Sequence, residues 1–146
     1  MKKALLIIDV QTSAVSKPEI AQRIEKLQYE YETVYVSKFT NTGSPLLPIM
    51  NWSGYENEEL AFTPKENAII FSKTGYTSYL QEMQEFDEIH LCGFDTDACI
   101  YKTAMDLIEN NIRPIILQNC CFSANREFHD IGMKLLERNI GKHNIK

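Results

Sequence analysis

The chain has 146 residues, of which 44% are hydrophobic and 24% charged, and its formal net charge at pH 7 is -5. This size and composition predict one globular domain over residues 1–146. The acidic balance argues against a nucleic-acid partner, because no basic stripe is present to neutralise phosphates, and no apolar run is long enough to span a membrane.

The N-terminal segment does not have the pattern of a secretory signal. Its apolar run, residues 4–8, is short and meets Asp9 at once, so we expect a cytoplasmic location. The four cysteines (92, 99, 120 and 121) are predicted to be reduced. His90 and Cys92 are spaced to share one face of a strand, but no CxxC or HxxxH pair accompanies them, so we expect no metal and no other cofactor.

The first elements are a buried strand, a helix and a second strand. Residues 4–8 are continuously apolar, which is typical of a strand buried on both faces. Ser16 and Glu19 have capping-box spacing and predict a helix start. The apolar face of that helix would hold Ile20, Ile24, Leu27 and Tyr31. Residues 33–37 are rich in β-branched and aromatic side chains, which predicts the second strand.

Residues 40–65 form an irregular segment with three prolines, two glycines, Trp52 and Tyr55. Such a length is unusual for a connection in a small domain. Two interpretations remain open: a functional loop, or a surface excursion whose aromatic side chains pack on the body of the protein.

The rest of the chain continues to alternate between strands and helices. The predicted strands are 67–71, 89–92 and 114–117, and the predicted helices are 77–86, 98–110 and 125–139. In the last helix we expect Phe128, Ile131 and Leu135 to face inward. The alternation predicts an α/β fold: a Rossmann-like, three-layer α-β-α sandwich around a mostly parallel sheet of five or six strands.

Three reactive residues follow the ends of predicted strands. Asp9 follows the first, Lys73 the third, and the turn 93–99 the fourth. Because parallel strands end at one edge of a sheet, an acid, a base and the Cys99 thiol can meet there as parts of a nucleophilic site. A helix N-terminus at Cys99 would favour the thiolate. The alternatives are a core cysteine, an aspartate that caps a turn and a solvated lysine.

Three segments carry a resemblance to a known family. They are ALLIIDVQ (4–11), KTGYTSY (73–79) and GFDTDACI (93–100), the last followed by Thr103 and Ala104. Together they resemble the isochorismatase-like cysteine hydrolases, which include nicotinamidases, and the resemblance covers nearly the whole chain. It implies the isochorismatase-like hydrolase fold, and assembly as a homodimer or homotetramer.

The resemblance also implies a role for each matched residue. Cys99 would be the nucleophile, Asp9 would take the thiol proton and return it to the leaving amine, and Lys73 would hold the thiolate and lower its pKa. It implies a cis peptide bond between Phe94 and Asp95. The oxyanion hole would consist of the backbone N–H groups of Asp95 and Cys99.

The chain departs from the family pattern at several positions. The region 38–42 lacks the Asp and His of the nicotinamidase metal site, and Thr12–Ala14 replaces the usual Asn-Asp-Phe. Asp95 stands where a small residue is usual, so it would repel anionic substrates, select cationic ones or disable the oxyanion hole. The predicted substrate-binding residues are Gln11, Phe39, Trp52, Tyr76, Phe94 and Asp95.

The sequence therefore predicts a metal-independent cysteine amidohydrolase. It would cleave the C–N bond of a small amide-like molecule through a thioester on Cys99. Vinyl-ether hydrolysis occurs in family members that lack the cysteine. One alternative is a catalytically idle member that binds a small ligand or a protein partner. Another is a thiol redox sensor that pairs Cys99 with Cys92 or Cys121.

Overall fold

The structure, a computed structural model, describes all residues from 1 to 146. Five strands and four α-helices alternate along the chain. They are β1 (Lys3–Ile8), α1 (Pro18–Leu27), β2 (Val34–Phe39), α2 (Leu46–Met50), β3 (Ile69–Lys73), β4 (Glu88–Phe94), α3 (Tyr101–Glu109), β5 (Arg113–Phe122) and α4 (Arg126–Ile140). Short 3-10 turns lie at Gln28–Glu30, Gln81–Glu85 and Lys142–Asn144, and a π-helical turn at Thr96–Ile100.

The five strands form one fully parallel sheet in the order β3-β2-β1-β4-β5. The chain adds strands outward from β1 to β3, then crosses to the other side of β1 to begin β4. The strand order therefore reverses between β1 and β4, where ligands of open parallel sheets bind. The prediction of a parallel α/β fold is confirmed.

Helices cover both faces of the sheet and enclose two apolar clusters. On one face α1 packs its Ile20, Ala21 and Ile24 against Leu5 and Ile7. On the other face α3 and α4 pack against Leu6 and Ile8. The side chains of β1 from Ala4 to Ile8 are fully buried, because this central strand is covered from both sides, as the unbroken apolar run predicted. No helix has both the length and the apolar character required to cross a lipid bilayer.

The start of α1 differs from the predicted capping box. Lys17 is the N-cap residue and no side chain caps the helix. The Ser16 hydroxyl instead donates a hydrogen bond of 2.6 Å to the Ser123 carbonyl at the end of β5. The capping prediction was wrong because a long-range partner competes for the hydroxyl.

Two predicted helices also differ. The helix predicted over 77–86 is only a 3-10 turn at Gln81–Glu85, and the helix predicted from residue 98 begins as the π-helical turn Thr96–Ile100 before α3. Strand β5 extends to Phe122, five residues beyond its prediction, because its second half pairs with the end of β4.

The last helix is rotated relative to its prediction. Phe128, Ile131 and Leu135 are 45%, 43% and 37% exposed, so the prediction that they face inward was wrong. The buried residues of α4 are His129, Gly132, Leu136 and Ile140. Both sets have helical spacing, and the close approach of Gly132 to the backbone of Thr96 and Asp97 decides between them.

Candidate active site

Asp9 lies directly after β1, at the edge where the strand order reverses. Its side chain is 1% exposed, and its φ of 51° is in the left-handed region that few aspartates adopt. One carboxylate oxygen, Oδ1, accepts a hydrogen bond of 3.4 Å from the Ser37 hydroxyl. The other, Oδ2, lies 3.0 Å from Lys73 Nζ in an ion pair and has no aligned hydrogen bond. Oδ2 therefore keeps a lone pair free to accept a proton.

Lys73 is the last residue of β3, the edge strand separated from β1 by β2. Two strand spacings amount to about 10 Å, which only a long side chain bridges. Its ammonium donates a hydrogen bond of 2.6 Å to the Tyr76 carbonyl and pairs with Asp9. The side chain is 9% exposed, so the alternative of a solvated lysine is excluded.

Cys99 lies in the π-helical turn Thr96–Ile100, and two contacts hold this turn in place. The Thr96 hydroxyl and His129 Nδ1 are 2.8 Å apart, and the Ser123 hydroxyl is hydrogen-bonded to Asp97. Upstream, Gly93 has a φ of +119°, and a Cβ there would lie 2.1 Å from the Ile8 carbonyl oxygen. Only glycine allows this approach of β4 to β1, which places Cys99 beside Asp9.

Asp9, Lys73 and Cys99 form one group of neighbouring ionisable side chains, which we name the catalytic cluster after the role that the sequence predicts for them. Burial raises the pKa of Asp9, while the Lys73 charge and the polar groups of Cys99, Lys73 and Ser37 close to the carboxylate oppose that rise. Burial and the Asp9 charge raise the pKa of Cys99, and Lys73 only partly offsets them. The expected low pKa of Cys99 is therefore not found in the free protein, where the thiol keeps its proton.

Asp9 and Cys99 of the catalytic cluster open into a cavity of about 280 Å³, here called the main cavity because it contains these two side chains. Asp9 and Cys99 lie in its wall together with Phe39, Trp52, Tyr76 and Asp95, four of the predicted substrate-binding residues. Three further residues, Leu46, Met50 and Tyr55, also line the main cavity and were not predicted as binding residues from the sequence. All three belong to the irregular segment 40–65. The interpretation of that segment as a functional loop indicates where such residues lie, but not which residues they are.

Three rings form one side of the main cavity, which we name the aromatic wall (Phe39, Trp52 and Tyr55). Their centroids are 5.2 to 5.5 Å apart, in tilted and edge-to-face arrangements. The Asn41 side chain fixes the position of Tyr55, because its amide donates to the Tyr55 carbonyl at 2.7 Å and its oxygen accepts from the Tyr55 N–H at 2.9 Å.

Two predicted substrate-binding residues lie behind the cavity rather than in its wall. Gln11 is fully buried and forms two hydrogen bonds with the Phe39 backbone, at 3.0 and 2.8 Å. Phe94 is 1% exposed and belongs to the apolar cluster under α1. Gln11 therefore holds the end of β2, including Phe39, in register with the segment after β1.

A chain of hydroxyl groups leads away from Asp9, and it was not predicted from the sequence. The Ser78 hydroxyl donates 2.8 Å to the Ser37 hydroxyl, which in turn donates to Asp9. Both serines are fully buried. The available signal was Ser37 itself, a small polar residue that directly follows the apolar and aromatic run Val34–Val36 in the same strand.

Asp95 follows β4, and the predicted cis peptide bond between Phe94 and Asp95 is present. Its carboxyl group is partly buried, and burial together with the charges of Asp97 and Asp9 raises its pKa to about 7. Asp95, Trp52 and Tyr55 also line a second cavity of about 490 Å³, bordered by Glu56 and residues 13–16. The backbone N–H of Asp95 donates no hydrogen bond to another backbone group.

No group of three or more His, Cys, Asp or Glu side chains is arranged to hold a metal ion. All four cysteines are free. Cys92 and Cys121 are buried on opposite faces of the sheet, in the clusters under α1 and under α3 and α4, respectively.

Comparison with known proteins gives one family and several structural neighbours. The isochorismatase domain model matches residues 3–143. Isochorismatase family protein 2A from Dictyostelium discoideum is 19% identical over 155 residues, covering 92% of this chain and 74% of that protein. An isochorismatase-like hydrolase from Alkaliphilus metalliredigens is 18% identical with a TM-score of 0.81, covering 95% of this chain and 92% of that one. The nicotinamidase from Bacillus subtilis is 22% identical with a TM-score of 0.77, and 97% of each chain is covered.

Proposed function

The chain belongs to the isochorismatase family, as its three sequence motifs predicted, and we propose that it is a cysteine amidohydrolase for small amides. The observation that carries this proposal is that a thiol and a carboxylate line the same cavity, and that a buried ammonium group is paired with that carboxylate behind the cavity wall. The structural likeness to a nicotinamidase, an enzyme that hydrolyses a primary amide, supports the same class of reaction.

In the proposed reaction Asp9 accepts the proton of Cys99 as the sulfur attacks the carbonyl carbon. A C–S bond forms, the C–N bond breaks, and the proton passes from Asp9 to the departing nitrogen, which leaves as an amine or ammonia. Water then attacks the thioester and gives its proton to Asp9. The carboxylic acid departs, and the sulfur recovers a proton from Asp9.

Lys73 has an electrostatic role in this scheme. It neutralises Asp9 in the free protein and stabilises the thiolate once Asp9 takes up the proton. The developing oxyanion would be held by the backbone N–H groups of Asp95 and Cys99, of which the Asp95 group has no backbone acceptor. Thiol and ammonium supply nucleophile and positive charge, so we propose that no metal takes part, and dialysis against EDTA should leave the activity unchanged.

Ammonia release from primary amides tests the proposal, using a set matched in size and different in charge: butanamide, β-alaninamide and succinamate. We expect the wild type to hydrolyse at least one of them and to show an acyl group on Cys99 by mass spectrometry after rapid acid quenching. Cys99→Ser should lose both signals. Cys120→Ser is the matched control, because this partly buried thiol lies outside the cavity.

An idle binding protein is the second candidate, and the raised pKa of Cys99 is the observation that favours it. An idle binding protein would bind an amide saturably, without forming an acyl-enzyme and without releasing ammonia. The homodimeric or homotetrameric state and the cytoplasmic location stay predictions, and analytical ultracentrifugation tests the first.

A further inference from the structure

Asp95 presents a carboxyl group to both cavities without an ion-pair partner. None of the ion pairs in the protein includes it. Lys73, whose charge lowers the pKa of Asp95, is already engaged by Asp9 and by the Tyr76 carbonyl. A partly buried, unpaired carboxylate is costly to keep in a fold unless a ligand neutralises it.

The residues around Asp95 give both cavities an acidic character. The titratable side chains in the two walls include Asp9, Asp95 and Glu56, and neither wall contains a Lys, Arg or His. The positive charge of Lys73 balances the negative charge of Asp9. The carboxylates of Asp95 and Glu56 therefore leave a negative field at the junction of the two cavities. Such a field attracts cations and repels anions.

Two rings of the aromatic wall stand beside Asp95 at this junction. Trp52 and Tyr55 line both cavities together with Asp95. The faces of tryptophan and tyrosine rings attract ammonium and guanidinium groups. A carboxylate next to two aromatic rings therefore provides two kinds of attraction for one cationic group.

We propose that Asp95 recognises a cationic group, such as an ammonium or guanidinium, on the amide that the catalytic cluster hydrolyses. This inference rests on the proposed function. The amide carbon lies at Cys99 in the main cavity, and the cationic group lies between Asp95, Trp52 and Tyr55, toward the second cavity.

Charged thiol reagents test this recognition without requiring turnover. The probes are methanethiosulfonates with an ethylammonium, a methyl or an ethylsulfonate group. Their rates of reaction at Cys99 are measured at low salt by peptide mass spectrometry. All three react with the same thiolate, so the ratio of cationic to anionic rates does not depend on the pKa of Cys99. We expect a ratio on the order of tenfold or more above the ratio for free cysteine.

Asp95→Asn should bring that ratio close to the value for free cysteine, whereas Asp130→Asn, an exposed residue of α4, should leave it unchanged. In the wild type the ratio should fall as the pH is lowered through about 7, where Asp95 takes up a proton. If Asp95→Asn does not fold, Asp95→Ser and the wild-type pH series provide the same test. Equal rates in the wild type, or an unchanged ratio in the variant, would overturn the inference.

Failure of the proposed function gives different results. If Cys99 does not react even with the methyl reagent, the proposed function fails and the inference fails with it. If the charge preference depends on Asp95 but β-alaninamide releases no more ammonia than butanamide, the assignment of the cationic group to the substrate is overturned. A preference for β-alaninamide that Asp95→Asn abolishes supports both proposals.

Discussion

The catalytic cluster and the aromatic wall face the same cavity but are held by different kinds of structure. Asp9 follows β1, Lys73 is the last residue of β3, and Cys99 lies in a turn that is hydrogen-bonded to α4, so sheet register largely sets their positions. Trp52 and Tyr55 belong to a long irregular segment outside the sheet, in which the Asn41 side chain holds Tyr55 through two hydrogen bonds. Under the proposed function we therefore expect reactivity to depend on the sheet, and substrate choice to depend mainly on a segment that can vary without disturbing the core.

The largest effect is expected in the catalytic cluster, from Asp9→Asn. Loss of the proton acceptor should lower kcat/KM by about 10³-fold. The same change should lower the pKa of Cys99, because the Asp9 charge raises it and Lys73 is left unbalanced. Alkylation of Cys99 by iodoacetamide at pH 7 should therefore become faster while hydrolysis becomes slower.

The control for Asp9→Asn is Asp130→Asn, the same change at an exposed site. Circular dichroism verifies that both variants are folded. A parallel loss of alkylation and hydrolysis would contradict the assignment of Asp9 as the base, and would leave it only a structural role.

Lys73→Met should have the opposite effect on Cys99 and raise the pKa of its thiol. Methionine keeps much of the length and volume of the lysine but loses the charge that lowers the pKa of Cys99. Alkylation at pH 7 should slow, and hydrolysis should fall by about 10²-fold. Lys134→Met, on the exposed side of α4, is the control. An unchanged alkylation rate would show that Lys73 does not act on the thiol.

The comparison also explains how much could be predicted from the sequence. The positions of Asp9, Lys73 and Cys99 follow from strand ends, because a parallel sheet brings those ends to one edge whatever lies between them. Tyr55 could not be placed in this way, since its position depends on an amide 14 residues earlier in an irregular segment. The direction of the Cys99 pKa was also missed, because burial and the Asp9 charge are three-dimensional properties.

The inward face of α4 was not predictable either. Two helical stripes of that segment have the spacing of a buried face, and local periodicity cannot choose between them. Gly132 decides the choice only through its contact with the turn that carries Cys99, a contact that no local pattern encodes.

A smaller effect is expected in the aromatic wall, from Gly54→Ala. Gly54 has a φ of +82°, and a Cβ there would lie 2.3 Å from Asn41 Oδ1. The side chain that fixes Tyr55 would have to move, so KM should rise by about tenfold with kcat changed far less. Gly43→Ala is a close match as control, because Gly43 has a φ of +78° but open space where the Cβ would be. Equal kinetic effects of the two changes would attribute the result to backbone strain alone.

The last effect is one of stability rather than activity, and it separates the two carboxylates that line the main cavity, Asp9 and Asp95. The pKa of Asp95 is about 7 in the folded protein against an ordinary value of 3.8. Between these values the folded state binds more protons than the unfolded state, so this group makes the protein less stable as the pH rises. Asp95→Asn should therefore be close to the wild type in stability near pH 4 and exceed it by ~4 kcal/mol at pH 8, because a shift of this size is worth about 1.4 kcal/mol for each pKa unit.

Urea unfolding at pH 4, 6 and 8 measures this difference, with Asp130→Asn again as the control. The Asp9 charge is one of the causes that raise the pKa of Asp95, so part of the expected gain is the loss of repulsion between these two carboxylates. A stability gain that grows with pH would show that the Asp95 carboxylate is held at a cost, which a bound cation would offset. Equal stabilities at all three pH values would instead mean that the carboxylate is well solvated. In that case Asp95 would not place a poorly solvated negative charge beside the aromatic wall, and the two sides of the cavity would not differ in charge balance.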